Sequence, residues 1–524
     1  MKWTRGGWAL LVGGLSLLGC VEPPPVEEPK PPPSEAGDWV DTGRFAACGI
    51  NPSSAAACGE MDFFKMDGCD AASVAAIPND GVYTTHYRYD LSQPLHAAGS
   101  FRLSQDGSED HLFRYTPSRK VVGASGFFLA ADYTLRNRPV RHAIRACRAE
   151  ANRVYGCFVY CREGQVTSSG TFEAARAVKP EGEALASGMS LTSETFVEQG
   201  LPVDVYVTKG HAYVVSVNHG TTDIGGLSVF DVSDKARPVF KKAISLPGDS
   251  YWNGVWAKDD ALYVASGDTG VVVFDISSPA EPKLLKSVPQ NLPEPASVHT
   301  VFVDGNRLYA MAPGPVPKTF IFDVTSATEP VLLGEYAEPG ADTDRSLGYP
   351  HDALAFEGRL YINHWSGGFI ITDVSDPASV KRLGAYTYPW ATSHANAVGR
   401  YGDRLIAFEG GEDWGAHLRV LDVTDAASPK LIGEYRLEAR ASIHNMVLKG
   451  TKLYIAHYQH GVRVLDVSVP ETPRALAHYH TFRESDPERG QSFYEGAIGM
   501  RVPGDGHVYV VDTSRGLLLF PEVQ

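Results

Sequence analysis

The side chains of this sequence best suited to chemistry are imidazoles that recur at matching positions. Counting back nine residues from the Leu that opens each Leu-Tyr or Leu-Ile strand gives Asn253, His299, His351, Asn396 and His444, with His394 two residues before Asn396. The same strands end on Ser266, His364, Glu409, His457 and Asp512, while His219 and His460 fall in the loops that follow. Eight of the seventeen histidines are thereby expected at one end of the fold. Neutral imidazoles with carboxylates nearby are ligands for zinc, copper or iron, so the cofactor this set would take is a divalent transition metal. The candidate metal ligands are His299, His351, His364, His394, His444 and His457. Asn253, Asn396, Glu409, Asp512 and Trp365 are the candidate contacts for a ligand. The competing reading is structural, with imidazoles satisfying buried backbone groups inside each repeat.

The elements that must position these residues come from a repeat of 44–50 residues between about 200 and 524. Its marker is Phe230-Asp231-Val232-Ser233, which returns at Phe274, Phe322, Thr372, Leu421 and Leu465, with a degenerate copy at Leu519-Phe520-Pro521. Each unit reads as four short strands, the third ending on the marker and a Pro-containing turn following it. Four strands per unit of this length predict a β-propeller blade. The marker Asp is expected to cap the turn through its carboxylate. Six full units and a seventh lacking its outer strand predict seven blades, closed by a strand from residues 188–200.

Loop length separates the two faces of such a ring. The turns between first and second strands (FEGR, DGNR) and between third and fourth strands are short and uniform. Length varies between second and third strands (B–C loops) and between one blade and the next (D–A loops), so binding is assigned to the D–A/B–C face. Trp252, Trp365, Trp390 and Trp414 are expected near it, able to stack on sugars or peptide side chains. Asp342, Asp344, Glu412 and Asp413 could hold Ca²⁺ there, although no EF-type spacing is present.

These markers resemble the LVIVD-repeat family of bacterial and archaeal surface proteins, over about 325 residues. The resemblance implies a propeller and a surface location, and little about chemistry.

The chain begins MKWTRGGWALLVGGLSLLGC: a charged start, an apolar run too short to span a bilayer, and Leu17-Leu18-Gly19-Cys20, which looks like a bacterial lipobox. Residues 1–19 are read as a signal peptide and Cys20 as the lipidation site. Residues 20–39, with seven prolines, are read as an extended tether. Val21 favours the outer membrane, since it is not the Asp that retains some lipoproteins at the inner one. Residues 40–185 hold the other six cysteines, Cys48, Cys58, Cys69, Cys147, Cys157 and Cys161, and predict a small β-rich domain with three disulfides of open connectivity. Within it RHAIRACRAEA reads as a helix. Residues 186–524 are the propeller, and the fold class is all-β.

A formal charge of −15 argues against nucleic acid as a partner. No G-x-S-x-G, P-loop, H-E-x-x-H or dinucleotide fingerprint occurs. Two functions remain. One is a cell-envelope binding scaffold, anchored to the membrane by lipid and taking a protein, peptide or glycan ligand. The other is a metal-dependent hydrolase or oxidoreductase with a His-lined site at the channel mouth.

Overall fold

The six repeat markers cap turns. In a computed structural model of the chain, each marker Asp accepts a hydrogen bond from the backbone N–H two residues on, over 2.7–3.0 Å: Asp231 from Ser233, Asp275 from Ser277, Asp323 from Thr325, Asp373 from Ser375, Asp422 from Thr424 and Asp466 from Ser468. The described residues are 33–524, apart from 94, 219–223, 291, 438 and 488. The signal peptide, Cys20, most of the tether and His219 lie outside them.

Each marker ends the third strand of a four-stranded antiparallel blade whose strands run in sequence order from the channel outward. The seven inner strands are Leu201–Thr208, Trp252–Lys258, Thr300–Asp304, Asp352–Phe356, Ser393–Tyr401, Met446–Lys449 and Ala497–Arg501. They pack side by side in a closed ring. The seventh blade takes its outer strand from Ser193–Thr195, which pairs with Gly516–Pro521, as the missing strand required. Ala186–Ser187 adds a fifth strand to the sixth blade. The recurring second-strand Tyr has a packing reason. Tyr213, Tyr263, Tyr309, Tyr361, Tyr454 and Tyr509 are almost wholly buried between blades. Tyr213 and Tyr263 donate their hydroxyls to the carbonyls of Pro279 and Ala327 in the next blade, at 2.9 and 2.6 Å.

The preceding domain is an eight-stranded antiparallel sheet. RHAIRACRAEA is not a helix but part of the strand Arg138–Glu150. Its helix-favouring Ala and Arg are overridden by pairing on both sides, to Phe128–Leu135 and Arg153–Arg162. The two-residue period of Arg153–Arg162 puts Cys157 and Cys161 on one face and Phe158 on the other. The disulfides Cys48–Cys157, Cys58–Cys161 and Cys69–Cys147 then clamp the segment 48–69 onto that face.

This domain sits on the D–A/B–C face of the propeller. Arg176 pairs with Glu484 at 2.8 Å, and Ser100 donates to the Gly490 carbonyl at 2.9 Å. His86 stacks on Trp414, and Trp39 packs on Trp390. The end of the expected tether is part of this interface. Glu35 and Asp38 grip the fully buried Arg419 at 2.9 and 2.8 Å. No helix among the described residues is long and apolar enough to cross a membrane.

Candidate functional site

Four of the six candidate histidines converge. His299, His351, His394 and His444 sit at or just before the start of four consecutive inner strands. Since those strands lie side by side, the rings form an arc across the channel mouth, with centroid separations of 4.2, 4.1 and 4.3 Å. Burial pushes every one of them down: His299 to about 4, His394 and His444 to about 3, and His351 well below the ordinary histidine value. They are neutral imidazoles at physiological pH.

Glu412, from the B–C loop of the fifth blade, closes the arc. Its Oε2 lies 3.4 Å from His394 Nε2, and its Oε1 lies 3.9 Å from His444 Nε2. Tyr458 donates its hydroxyl to the same carboxylate. One ligand atom each from His351, His394 and Glu412 falls within 4.8 Å of the others. All three residues are buried, and neither His351 Nδ1 nor His394 Nε2 has a hydrogen-bond partner among the described residues.

The tautomers follow from the backbone. His394 Nδ1 lies 3.1 Å from the His444 carbonyl oxygen, and His444 Nδ1 lies 2.7 Å from that of Ile498. A carbonyl only accepts, so both Nδ1 atoms carry the proton and both Nε2 lone pairs point at Glu412. Backbone carbonyls holding imidazoles in this orientation are a recurrent feature of metal-ligating histidines.

Asn253 also belongs to the site, its Nδ2 lying 3.1 Å from His299 Nε2. Trp365 stacks between His351 and Tyr349, on a backbone with φ of +44°. In front of the arc is a cavity of about 330 Å³, lined further by Tyr251, Gln491, Tyr494 and, from the N-terminal domain, Arg114.

The other candidates lie elsewhere. His364 turns into its own blade and bonds the Leu347 carbonyl at 2.8 Å, while His457 stacks on His460. In both blades the next residue, Trp365 or Tyr458, takes a left-handed backbone and carries its ring to the arc instead. Glu409 is fully buried, bonded by Tyr388 at 2.9 Å and facing Arg419 at 3.7 Å. Asp512 is fully buried against Arg489 at 2.8 Å. Asn396 bonds Asn363 and the Tyr361 carbonyl, inside the channel. Trp390 and Trp414 are occupied by the N-terminal domain, and Trp252 is a core residue bonded to Asp249. Asp344 caps the turn 345–347. Asp413 accepts from the Trp414 N–H.

Sequence reasoning placed Glu412 among calcium candidates rather than with the histidines, and it missed Tyr458 and Arg114. Tyr458 was legible, as the neighbour of His457 at a strand end. Nothing in the sequence pointed to Arg114, which arrives from another domain. A second group, Glu183, His478 and His480, also brings its ligand atoms together. There Arg463 donates twice to Glu183 at 2.9 Å, so a cation already occupies that carboxylate.

The fold is that of a seven-bladed β-propeller. Within it, residues 200–245, 250–289 and 348–387, the first, second and fourth blades, match the family model for the LVIVD repeat. No curated protein matches the chain. Among solved structures, it is similar to the extracellular domain of a hybrid two-component system of B. thetaiotaomicron, at 14% identity and a TM-score of 0.41. That likeness covers 62% of this chain and 40% of the other.

Proposed function

We propose that this protein is a lipid-anchored cell-envelope propeller that binds a divalent transition metal through His351, His394 and Glu412, with His299 and His444 beside them. One observation carries the reading: two imidazole lone pairs are held against a carboxylate 3.4 and 3.9 Å away. Acceptors facing acceptors in a buried site call for a cation between them, a metal ion or a proton, and burial raises the Glu412 carboxyl. Imidazole and carboxylate together suit Zn²⁺ or Fe²⁺. The N-terminal domain roofs the mouth, so the ligand reaching it is small rather than a folded protein.

Titrating metal-stripped full-length protein with Zn²⁺ and Co²⁺ tests this. The expected result is about one ion per chain, with affinity at least about 100-fold lower in His394→Ala and Glu412→Gln. Protein that takes up no ion, and whose stability ignores chelators, would sink the reading.

A metal-dependent enzyme is the second reading, favoured by the cavity in front of the donors. Three protein ligands leave positions open for water and substrate. The anchor is tested separately, by incorporation of labelled fatty acid that Cys20→Ser abolishes.

A further inference from the structure

Behind the histidine arc the channel opens into a second cavity, of about 510 Å³, which His351, His394 and His444 also line. Its volume falls in the range of small-molecule sites. We propose that this chamber binds a small organic cation: a primary amine on an aromatic or apolar body.

The chamber is built in two levels. The level nearer the arc is polar, with Asp204, Thr300, Asp352 and Asn396. Beyond it the inner strands present Tyr206, Trp256 and Phe302, the first pair tilted and the second T-shaped, with centroids 5.1 and 4.8 Å apart.

Two side-chain oxygens at the polar level lack a donor among the described residues, and Arg501, which also lines the chamber, keeps its Nε–H without an acceptor there. Asp204 is only 6% exposed. Its Oδ2 accepts from the Val255 N–H and from Arg501, each at 3.1 Å, while its Oδ1 has no partner among the described residues. The Oδ1 of Asn396 is likewise buried without a partner, because its amide nitrogen is turned to Asn363 and Tyr361. Asp352 accepts the Ala353 N–H at 2.9 Å. It forms no ion pair among the described residues. Arg501 forms its ion pair with Asp204 and lies over the face of Trp256, 4.8 Å from the ring centroid.

An ammonium offers three donors and no acceptor, the complement of this set. A bare inorganic cation would leave the aromatic level against water, whereas an organic body covers it.

The test is calorimetry on the full-length protein in chelator, which separates it from the metal reading. The probes are 2-phenylethylamine, its neutral analogue 2-phenylethanol and the anion phenylacetate. The amine should bind once per chain, with both analogues at least about tenfold weaker. Asp352→Asn should weaken the amine at least about tenfold and leave the alcohol unchanged. The comparison of probes on the unaltered protein needs no variant to fold. No binding of the amine at millimolar concentration, equal binding of the alcohol, or indifference to Asp352→Asn would each overturn the proposal.

Discussion

His394 Nε2 and Glu412 Oε2 lie 3.4 Å apart with an acceptor on each side, since the Nδ1 proton of His394 is committed to the His444 carbonyl. With neither a metal ion nor a proton between them this contact is repulsive, and burial raises the Glu412 carboxyl above its ordinary value. Glu412→Gln places an amide N–H opposite the lone pair and keeps an oxygen for Tyr458. In chelator, the variant should be more stable than the parent by about 1 kcal/mol, read by thermal unfolding. A loss of stability would mean that the two groups share a proton.

His142 makes an acid-sensitive element far from that arc. It is fully buried among Tyr87, Phe113, Phe158 and Tyr160, with neither ring nitrogen bonded among the described residues. Burial takes it from 6.5 to about 3. The folded value is depressed, so stability is intact above about pH 6.5 and is lost as pH falls toward about 3. His142→Phe should remove about 1.4 kcal/mol per pH unit from that slope, measured by denaturant unfolding between pH 6 and pH 4.

Ring closure rests on a short strand, and Arg515 fastens it. Arg515 is 3% exposed, bonds Glu194 of the closing strand at 2.9 Å, and donates to the Thr481 carbonyl at 2.9 Å. Arg515→Ala should cost about 3 kcal/mol. Hydrogen exchange should rise first in Ser193–Thr195 and Gly516–Pro521.

The Cys69–Cys147 disulfide joins residues 78 apart in sequence and ties the helix Ala71–Ala75 to the sheet. Replacing both cysteines with Ser should cost about 4 kcal/mol. The loss belongs to the N-terminal domain, so calorimetry should show its transition move away from that of the propeller.

The repeat made the propeller legible because blades bury their strands locally. An inner strand, a Leu-Tyr strand and a capped marker leave their pattern within about 45 residues of chain. The missing seventh outer strand was legible for the same reason, since an edge that must close demands a partner. The strand Arg138–Glu150 was not, because its Ala and Arg content favours a helix and only its two neighbours decide otherwise. The disulfide pairing also waited for the sheet, whose register selects which cysteines share a face.

For the site, the sequence by itself determined that imidazoles would gather at the start of the inner strands, because equal spacing from a repeated strand gives equal height in the ring. Tertiary structure decided the rest. The residue after His364 and His457 takes a left-handed turn, which sends each His into its blade and its aromatic neighbour to the mouth. Glu412 comes from a loop whose Trp414 stacks on His86 of the N-terminal domain. Arg114 joins the cavity lining from 185 residues before His299, the arc residue nearest to it in sequence. Spacing fixes height around a closed ring, but side-chain direction and contacts between domains are set by packing, which no local pattern records.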